Sequence, residues 1–519
     1  MTTTNYRHAK DIKKVALGDG PISIREVIAV ARYGAEVSFT REYCNRVNES
    51  RRLMDRYLQE NRIIYGVTTG FGSNVSEVIS PEDAETLQRN IIRSHAVSVG
   101  EPLEREVVRA IQLMILVHLG QGYSGVRLKV LELIASLLNH DIIPFVPGDG
   151  SVGYLSPESH MALVLIGEGR AWYEGEFIPG GDALAKAGLA PVTLGPKEGL
   201  ALISGTTSAT AMAVLALYNG IQAAKTADIT GAMSLEVLKG TIYAFNPRSH
   251  KLKKHEEQAK TARNVSRILE GSQIIDTYKE HRMQDALSLR CIPQIHGAIK
   301  KALKDAEFTI ENEMNSVSDN PLIFPDDADG MALMGGNFDG SFVGIYADMM
   351  CIAMANLAKI TERRIDRLVN HHHSELPNFL VANPGLNNGY MVPQYTAAGL
   401  LNEIRVLTQP ATIDNVPTCA NQEDVISFSY FASKKAYQVS KKLEYILAIE
   451  LMTATQAMDF HHPLKPAPIT EMVYRSIRSK VPMVKEDRFF HPDIEMIKAQ
   501  IHEGDLTELV ELEMGELEF

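Results

Sequence analysis

The sequence predicts a mainly α-helical protein: a loop-rich N-terminal domain followed by a long central helical bundle. Two observations carry that expectation. Beyond about residue 200, apolar residues recur at i, i+3 and i+4 through 199–239, 283–314, 341–370, 394–410 and 424–460, with few breakers and with Ala, Met, Leu and Ile dominant, the pattern and composition of helices. Residues 1–199 are punctuated instead by YGVTTGFGSN, GQGYSG, IIPFVPGDGSVG and GEFIPGGDAL, glycines and prolines that mark loops making close approaches.

In chain order this gives an N-terminal domain over 1–199, a long-helix bundle over 200–460 and a helical C-terminal segment over 461–519. A chain of 519 residues exceeds what one hydrophobic core organises, so subdomains are expected. The run ATAMAVLALYNGIQAAKTADITGAMSLEVL (209–238) has too little polar surface for an exposed helix, which places it at the centre of a bundle, at a subunit interface, or both. The acidic EGDLTELVELEMGELEF at 503–519 reads as a solvated helix or a frayed tail.

The formal net charge of -12 disfavours nucleic acid and anionic membrane as partners. The longest apolar stretches, such as 110–120, look too short to span a bilayer. Four scattered cysteines (Cys44, Cys291, Cys351 and Cys419) form no C-x-x-C pair and point to a reducing compartment. MTTTNYRHAKDIKK has no apolar core of a secretory signal, so a cytoplasmic protein is expected. The histidine runs at 371–373 and 461–462 lack an i, i+4 pairing with a third ligand, so no metal site is expected. GTTGFG and SGTTSAT lack the lysine of a phosphate loop.

Nine segments carry chemistry-bearing residues in a fixed order: YGVTTGFG (65–72), RSHAVSVG (93–100), GYSGVR (122–127), KEGLALISGT (197–206), QDALSLRCIPQ (284–294), NSVSDNPLIF (315–324), GGNFDG (335–340), ERRIDR (362–367) and ANQEDVIS (420–427). Together they resemble the histidine/phenylalanine (aromatic amino acid) ammonia-lyase family over nearly the whole chain. The resemblance implies that family's α-helical fold, with active-site loops in the N-terminal domain, and a carbon–nitrogen lyase that removes a β-hydrogen and an α-amine from a small amino-acid-like substrate.

Tyr65 matches the family's base; with a reference pKa of about 10, a tyrosine needs an electropositive setting to act as phenolate. Arg290 matches the carboxylate anchor, whose fork pairs bidentately with a carboxylate. Asn337 and Phe338 fit the pocket wall, Gln422 and Glu423 the polar cluster facing substrate, and Gln394 the active-site shell. Ser94-His95 and Glu423 resemble the histidine-specific branch, although Val425 stands where that branch has a histidine. Polar groups converging on the side chain suit imidazole better than phenyl, because they would lie unpaired against phenyl.

The family's electrophile, a methylidene-imidazolone, matures from an internal Ala-Ser-Gly within a stretch resembling GSVG-ASG-DLAPLSHM. This chain reads GSVG-YLSPESHM over 150–161. Tyr154 replaces the following Asp, Ser204 the Asn of the LINGT-type segment and Leu287 the Tyr of the QDxYSLR-type segment. The expectation drawn from these changes is a lyase without a cofactor, resembling the ergothionase branch. Its substrate brings its own leaving group: trimethylamine from a histidine betaine such as hercynine or ergothioneine, leaving a urocanate-type product. Tyr154 would then form an aromatic wall for the cation beside Ser204, and Glu158 would supply charge there or serve as a helix-start carboxylate. The alternatives are a conventional histidine ammonia-lyase carrying the methylidene-imidazolone between Gly153 and Tyr154, an aromatic amino acid lyase or aminomutase, and a catalytically silent scaffold with the pocket collapsed or filled by Tyr154. The resemblance also implies a homotetramer whose active sites are shared between subunits.

Overall fold

The computed structural model describes residues 8–80, 82–325 and 329–519. It is 60% helical with 7% strand, the mainly α class that the helical periodicity predicts. The long helices are Thr207–Val237, Ile292–Met314, Ser341–Val369 and Ser429–Met458. Among the described residues the strands make four small sheets. One pairs Lys14–Leu17 with Glu36–Phe39 in parallel, and another pairs Leu322–Phe324 with Met331–Leu333 antiparallel.

The chain divides into two compact units, each assembled from separated stretches. The first comprises Met1–Leu215, Phe308–Asp348 and Pro410–Lys434. Its helices start on local signals: Ser23 and Glu26 form a capping box before Ile24–Ala31, and the Thr40 side chain caps Arg41–Gln59. Leu53, Met54 and Tyr57 of the latter helix bury against Ile64, Val67 and Ile323. That cluster seats the 65–72 loop and the strand starting at Leu322 on one apolar platform. Deeper in this unit, Lys197 Nζ donates to Asp319 Oδ2 at 2.6 Å, with both side chains out of solvent. Glu198 accepts from Arg127 Nε at 2.7 Å and from the backbone nitrogens of Arg127 and Gly195.

The second unit comprises Ala216–Glu307, Met349–Gln409 and Lys435–Phe519. From residue 223 to 238 every side chain of the predicted bundle-centre segment is buried, so this stretch is covered within a single chain. Asp228 sits among His296 Nδ1 at 2.9 Å, Lys300 Nζ at 2.6 Å and Asn264 Nδ2 at 2.8 Å. Burial alone would raise its pKa, but Lys300 and His296 hold it lower than usual.

Two expectations change here. The acidic C-terminus is docked rather than frayed. Leu506, Val510 and Leu517 are buried, and the Glu518 carbonyl accepts from Asn264 Nδ2 at 2.8 Å and Lys300 Nζ at 3.0 Å. Its apolar positions, interleaved with glutamates, form a stripe that only a packing partner reveals. The apolar stretches also combine into helices longer than their sequence breaks suggest. Glu198–Val237 and Ser341–Val369 are long and apolar enough to cross a membrane, with 94% and 56% of their most apolar windows buried inside the protein.

Asp319→Ala would strand the Lys197 ammonium out of water, and breaking such a buried pair costs about 3–5 kcal/mol. A denaturant titration of the variant is expected to show the loss as a lowered unfolding midpoint; an unchanged midpoint would mean the pair contributes nothing to this unit.

Candidate active site

The first unit holds a cavity of about 340 Å³ lined by Tyr65, Tyr154, Ser204, Phe338, Gln422 and Glu423, together with Gly72, Val75, Leu155, Leu200, Asn320, Met334 and Gly335. Six of the residues singled out in the sequence therefore meet at one place.

Tyr65 stands at the head of a turn whose glycines are steric requirements. Gly66 has φ +64°, and a Cβ there would come within 2.5 Å of Leu200 Cδ2 and 2.8 Å of the Phe71 ring. Gly72 has φ +55°, and a Cβ there would meet Cys419 Sγ at 2.3 Å. This close turn lets Gly72 N–H donate to Tyr65 Oη at 2.9 Å. Gln88, fully buried, fixes the loop from below. Its Nε2 donates to Gly66 O at 3.1 Å, and its Oε1 accepts from Gly199 N at 2.9 Å and Leu200 N at 3.2 Å. Gln88 was not foreseen; a polar residue on the apolar face of Ala84–His95 was the available signal.

Burial pushes the Tyr65 phenol up. The Gly72 N–H opposes this, and nearby Cys419 and Glu423 push it up further. The electropositive setting expected for a phenolate is thus absent from the groups acting on Tyr65 among the described residues of this unit. Gly72 N–H is what favours the phenolate there.

Gln422 and Glu423 follow a turn of three consecutive non-glycine residues in the left-handed region: Cys419, Ala420 and Asn421, at φ 51°, 52° and 66°. Such residues cost roughly 1–3 kcal/mol each and persist where the surroundings over-determine them. Here Thr418 closes the turn: its N–H donates to Glu423 O at 2.9 Å, and its Oγ1 donates to Glu423 Oε2 at 2.8 Å.

The Tyr154 phenol feels the charge of the Glu423 carboxylate, with which it shares the cavity wall. Its ring lies edge-on to Phe338, centroids 5.5 Å apart at 76°, with 7% of the residue exposed. Burial foremost, then Glu423, pushes this phenol far above its ordinary range, so it stays protonated. Tyr154 is a wall of an open cavity rather than a plug filling it.

Ser94 and His95 end the helix Ala84–His95 and do not line the cavity. His95 Nδ1 lies 2.8 Å from the Ile91 carbonyl, so this nitrogen carries the proton and leaves Nε2 as an acceptor in the neutral ring. Burial lowers the His95 pKa, while Ile91 O and Glu423 act to raise it. Asn337 is exposed, its Nδ2 donating to Val317 O at 3.1 Å. Asn320 lines the cavity without having been singled out; its Oδ1 accepts from Gly335 N at 2.8 Å. Glu158 lies outside this cavity's lining. Fully buried, it takes the helix-start role, accepting through Oε1 from Thr207 Oγ1 and Ser208 N, both at 2.9 Å, at the start of Thr207–Val237.

Arg290 and Gln394 belong to the second unit. Arg290 Nε donates to Asp285 O at 3.0 Å, and Gln394 Nε2 donates to Glu362 Oε1 at 2.8 Å.

Residues 22–479 match the family described as aromatic amino acid lyase. The histidine ammonia-lyase of Caldanaerobacter subterraneus subsp. tengcongensis is 43% identical over 505 residues, 97% of this chain and 99% of that protein. That of Symbiobacterium thermophilum is 45% identical over 500 residues, 96% and 98% of the two chains. The crystal structure of histidine ammonia-lyase from Trypanosoma cruzi superimposes with a TM-score of 0.89 at 35% identity, covering 96% of this chain and 95% of that one.

These findings correct two expectations. Release of trimethylamine from a histidine betaine gives way to the conventional reading, because end-to-end relatives at this identity are histidine ammonia-lyases. The expectation of no cofactor conflicts with the methylidene-imidazolone that histidine ammonia-lyases use. Both expectations rest on the missing Ala-Ser-Gly together with Tyr154, Ser204 and Leu287, and the match of the whole chain outweighs them. The residues at the site do not themselves supply that group: Gly153 is bonded directly to Tyr154, with no Ala-Ser-Gly between them. No step of the chemistry is therefore assigned to it.

Gly66→Ala would force an L-residue into the left-handed region, at roughly 1–2 kcal/mol, and drive its Cβ into Leu200 and Phe71. Faster proteolysis within the 65–79 loop is expected; wild-type resistance would show that the turn has slack.

Proposed function

We propose that this chain, which belongs to the aromatic amino acid lyase family of carbon–nitrogen lyases, eliminates ammonia from L-histidine to give urocanate. The observation that carries this reading is the Glu423 carboxylate, which shares a cavity with Tyr65 and acts electrostatically on His95. An imidazole N–H would donate to Glu423, whereas a phenyl ring would desolvate that carboxylate without offering it a donor.

In this reading Tyr65, as phenolate, takes a hydrogen from the substrate β-carbon. The C–H electron pair becomes the Cα–Cβ double bond, the Cα–N bond of the protonated α-ammonium breaks with its pair going to nitrogen, and neutral ammonia leaves. Gly72 N–H steadies the phenolate oxygen before the transfer. Donation of a ring N–H to Glu423 orients the ring with its β-hydrogen toward Tyr65, and His95 Nε2 is the alternative acceptor for the ring proton. Ser94 orients His95 through Nδ1, at 3.0 Å. Phe338 and Ser204 shape the wall, Asn337 and Gln422 contribute polar contacts, and Arg290 anchors the substrate carboxylate with Gln394 in the surrounding shell. A cytoplasmic homotetramer with shared active sites accompanies this proposal.

L-histidine incubated with the protein is expected to yield urocanate, followed by its ultraviolet absorption, together with ammonia; no consumption of histidine would overturn the reading. Tyr65→Phe should remove turnover by at least a thousandfold with the fold intact, and near-wild-type rates would sink the assignment of the base. Because burial raises the Tyr65 pKa, the phenolate fraction grows as pH rises, so kcat/KM should still be climbing at about pH 9; a plateau from neutral pH would contradict it. Arg290→Lys, which cannot reproduce the fork, should raise KM roughly tenfold or more, and unchanged kinetics would remove its role as anchor.

A further inference from the structure

The geometry points to Gln88 and Thr69 as positioning residues that clamp the two peptide groups flanking Gly66 and so aim the Tyr65 phenol at the substrate β-carbon. The inference rests on the histidine reading, with Tyr65 as its base, and assigns roles to two residues that do not line the cavity.

Gln88 belongs to the buried face of Ala84–His95, in step with Ala84, Ile91 and Ile92. An apolar side chain would pack there as well, and an amide out of water costs free energy unless its polar atoms are bonded. Its oxygen faces two donors, Gly199 N and Leu200 N, so its nitrogen is the end turned to Gly66 O, at 3.1 Å. Gly199 permits this close approach: a Cβ there would come within 2.5 Å of Gln88 O and 2.9 Å of Ile91 Cγ2. The amide thus bridges the Tyr65 turn and the helix Glu198–Ile203, which packing by an apolar residue would not do.

Thr69 completes the clamp. Its Oγ1 accepts from Gly66 N at 3.1 Å and donates to Gly70 O at 3.0 Å, and only 4% of the residue is exposed. The peptide before Gly66 is therefore held by Thr69 and the peptide after it by Gln88. Rotation about the Gly66 backbone, which a glycine otherwise permits widely, would break one bond or the other. The stretch around Thr69 is tied down in turn: Gly70 N donates to Glu77 O and Ile79 N to Thr68 O, both at 2.9 Å. At the other end of the side chain the Tyr65 ring stands edge-on to Phe71, centroids 6.5 Å apart at 87°, and Gly72 N–H meets its oxygen. The phenol is thus fixed at root and tip, and Gln88 and Thr69 fix the root without reaching the substrate.

The test compares wild type, Gln88→Met and Thr69→Val, which keep most of the side-chain volume and remove the hydrogen bonds to Gly66. Steady-state kinetics with L-histidine, and with L-histidine deuterated at the β-carbon, would be paired with the dissociation constant of trans-urocanate and with thermal unfolding. A misplacement of about 1 Å costs on the order of a hundredfold in rate. Both variants should therefore lose roughly ten- to hundredfold in kcat, while KM and the urocanate dissociation constant stay within about twofold of wild type. The deuterium isotope effect on kcat should be no smaller than the wild type's, which locates the loss at C–H cleavage. If Gln88→Met does not fold, Thr69→Val decides by the same criteria. Wild-type kcat in the folded variants, a smaller isotope effect, or urocanate binding lost in step with kcat overturns the positioning role and leaves the histidine reading standing. A wild-type protein that neither turns over histidine nor binds urocanate overturns both.

Discussion

Lys197 and Asp319 lie entirely out of water, and the geometry of the candidate site depends on their pairing. Two charges in that position hold each other because neither has a solvated alternative. Lys197 precedes the helix Glu198–Ile203, which brings Leu200 to the cavity and leads to Ser204; Asp319 precedes Asn320, whose side chain in turn holds Gly335. One ion pair thus registers two walls of the cavity that are more than a hundred residues apart in sequence. Gln88 extends the same logic to a third wall by bonding both Gly66 and the start of the 198–203 helix. The 65–72 loop, the helix and the strap behind Asn320 are tied together through buried polar side chains.

The second unit solves its charge problem in a different way. Asp228 gathers His296, Lys300 and Asn264, and Arg364 forms a buried pair with Glu450, whose Oε1 also accepts from Ser234 at 2.8 Å. The docked C-terminus supplies further acceptors to Lys300 and Asn264. Small Ala, Ser and Thr side chains along Thr207–Val237 allow helices to approach closely, and Thr230 and Ser234 among them donate to Glu450.

The candidate site combines an acidic interior with a strained presentation. Glu423 is delivered by a turn that non-glycine residues adopt only under constraint, and the nearby phenols of Tyr65 and Tyr154 have their pKa values raised. The two phenols are distinguished by their partners. Tyr65 accepts from a backbone N–H, which favours its ionised form, whereas Tyr154 meets a carboxylate, which favours its neutral form. Environment alone therefore tunes two residues of one type in different ways.

The sequence by itself determined the helical class, because side-chain periodicity and helix propensity are local properties that survive translation into structure. It also determined the family, through the order of its motifs, and it identified Tyr65, Tyr154, Ser204, Phe338, Gln422 and Glu423, because each lies in a short segment whose spacing is local. Tertiary structure alone decided what depends on distant partners: the Lys197–Asp319 pair, the bridging by Gln88, the placement of Asn320 in the cavity, the docking of the acidic C-terminus and the use of Glu158 as a helix-start carboxylate. It also decided that Asn337 and His95 stand outside the cavity lining, and that the groups around Tyr65 in its unit raise its pKa. These features arise from burial and from contacts between residues far apart in the chain, and neither desolvation nor long-range proximity has a local signature in sequence.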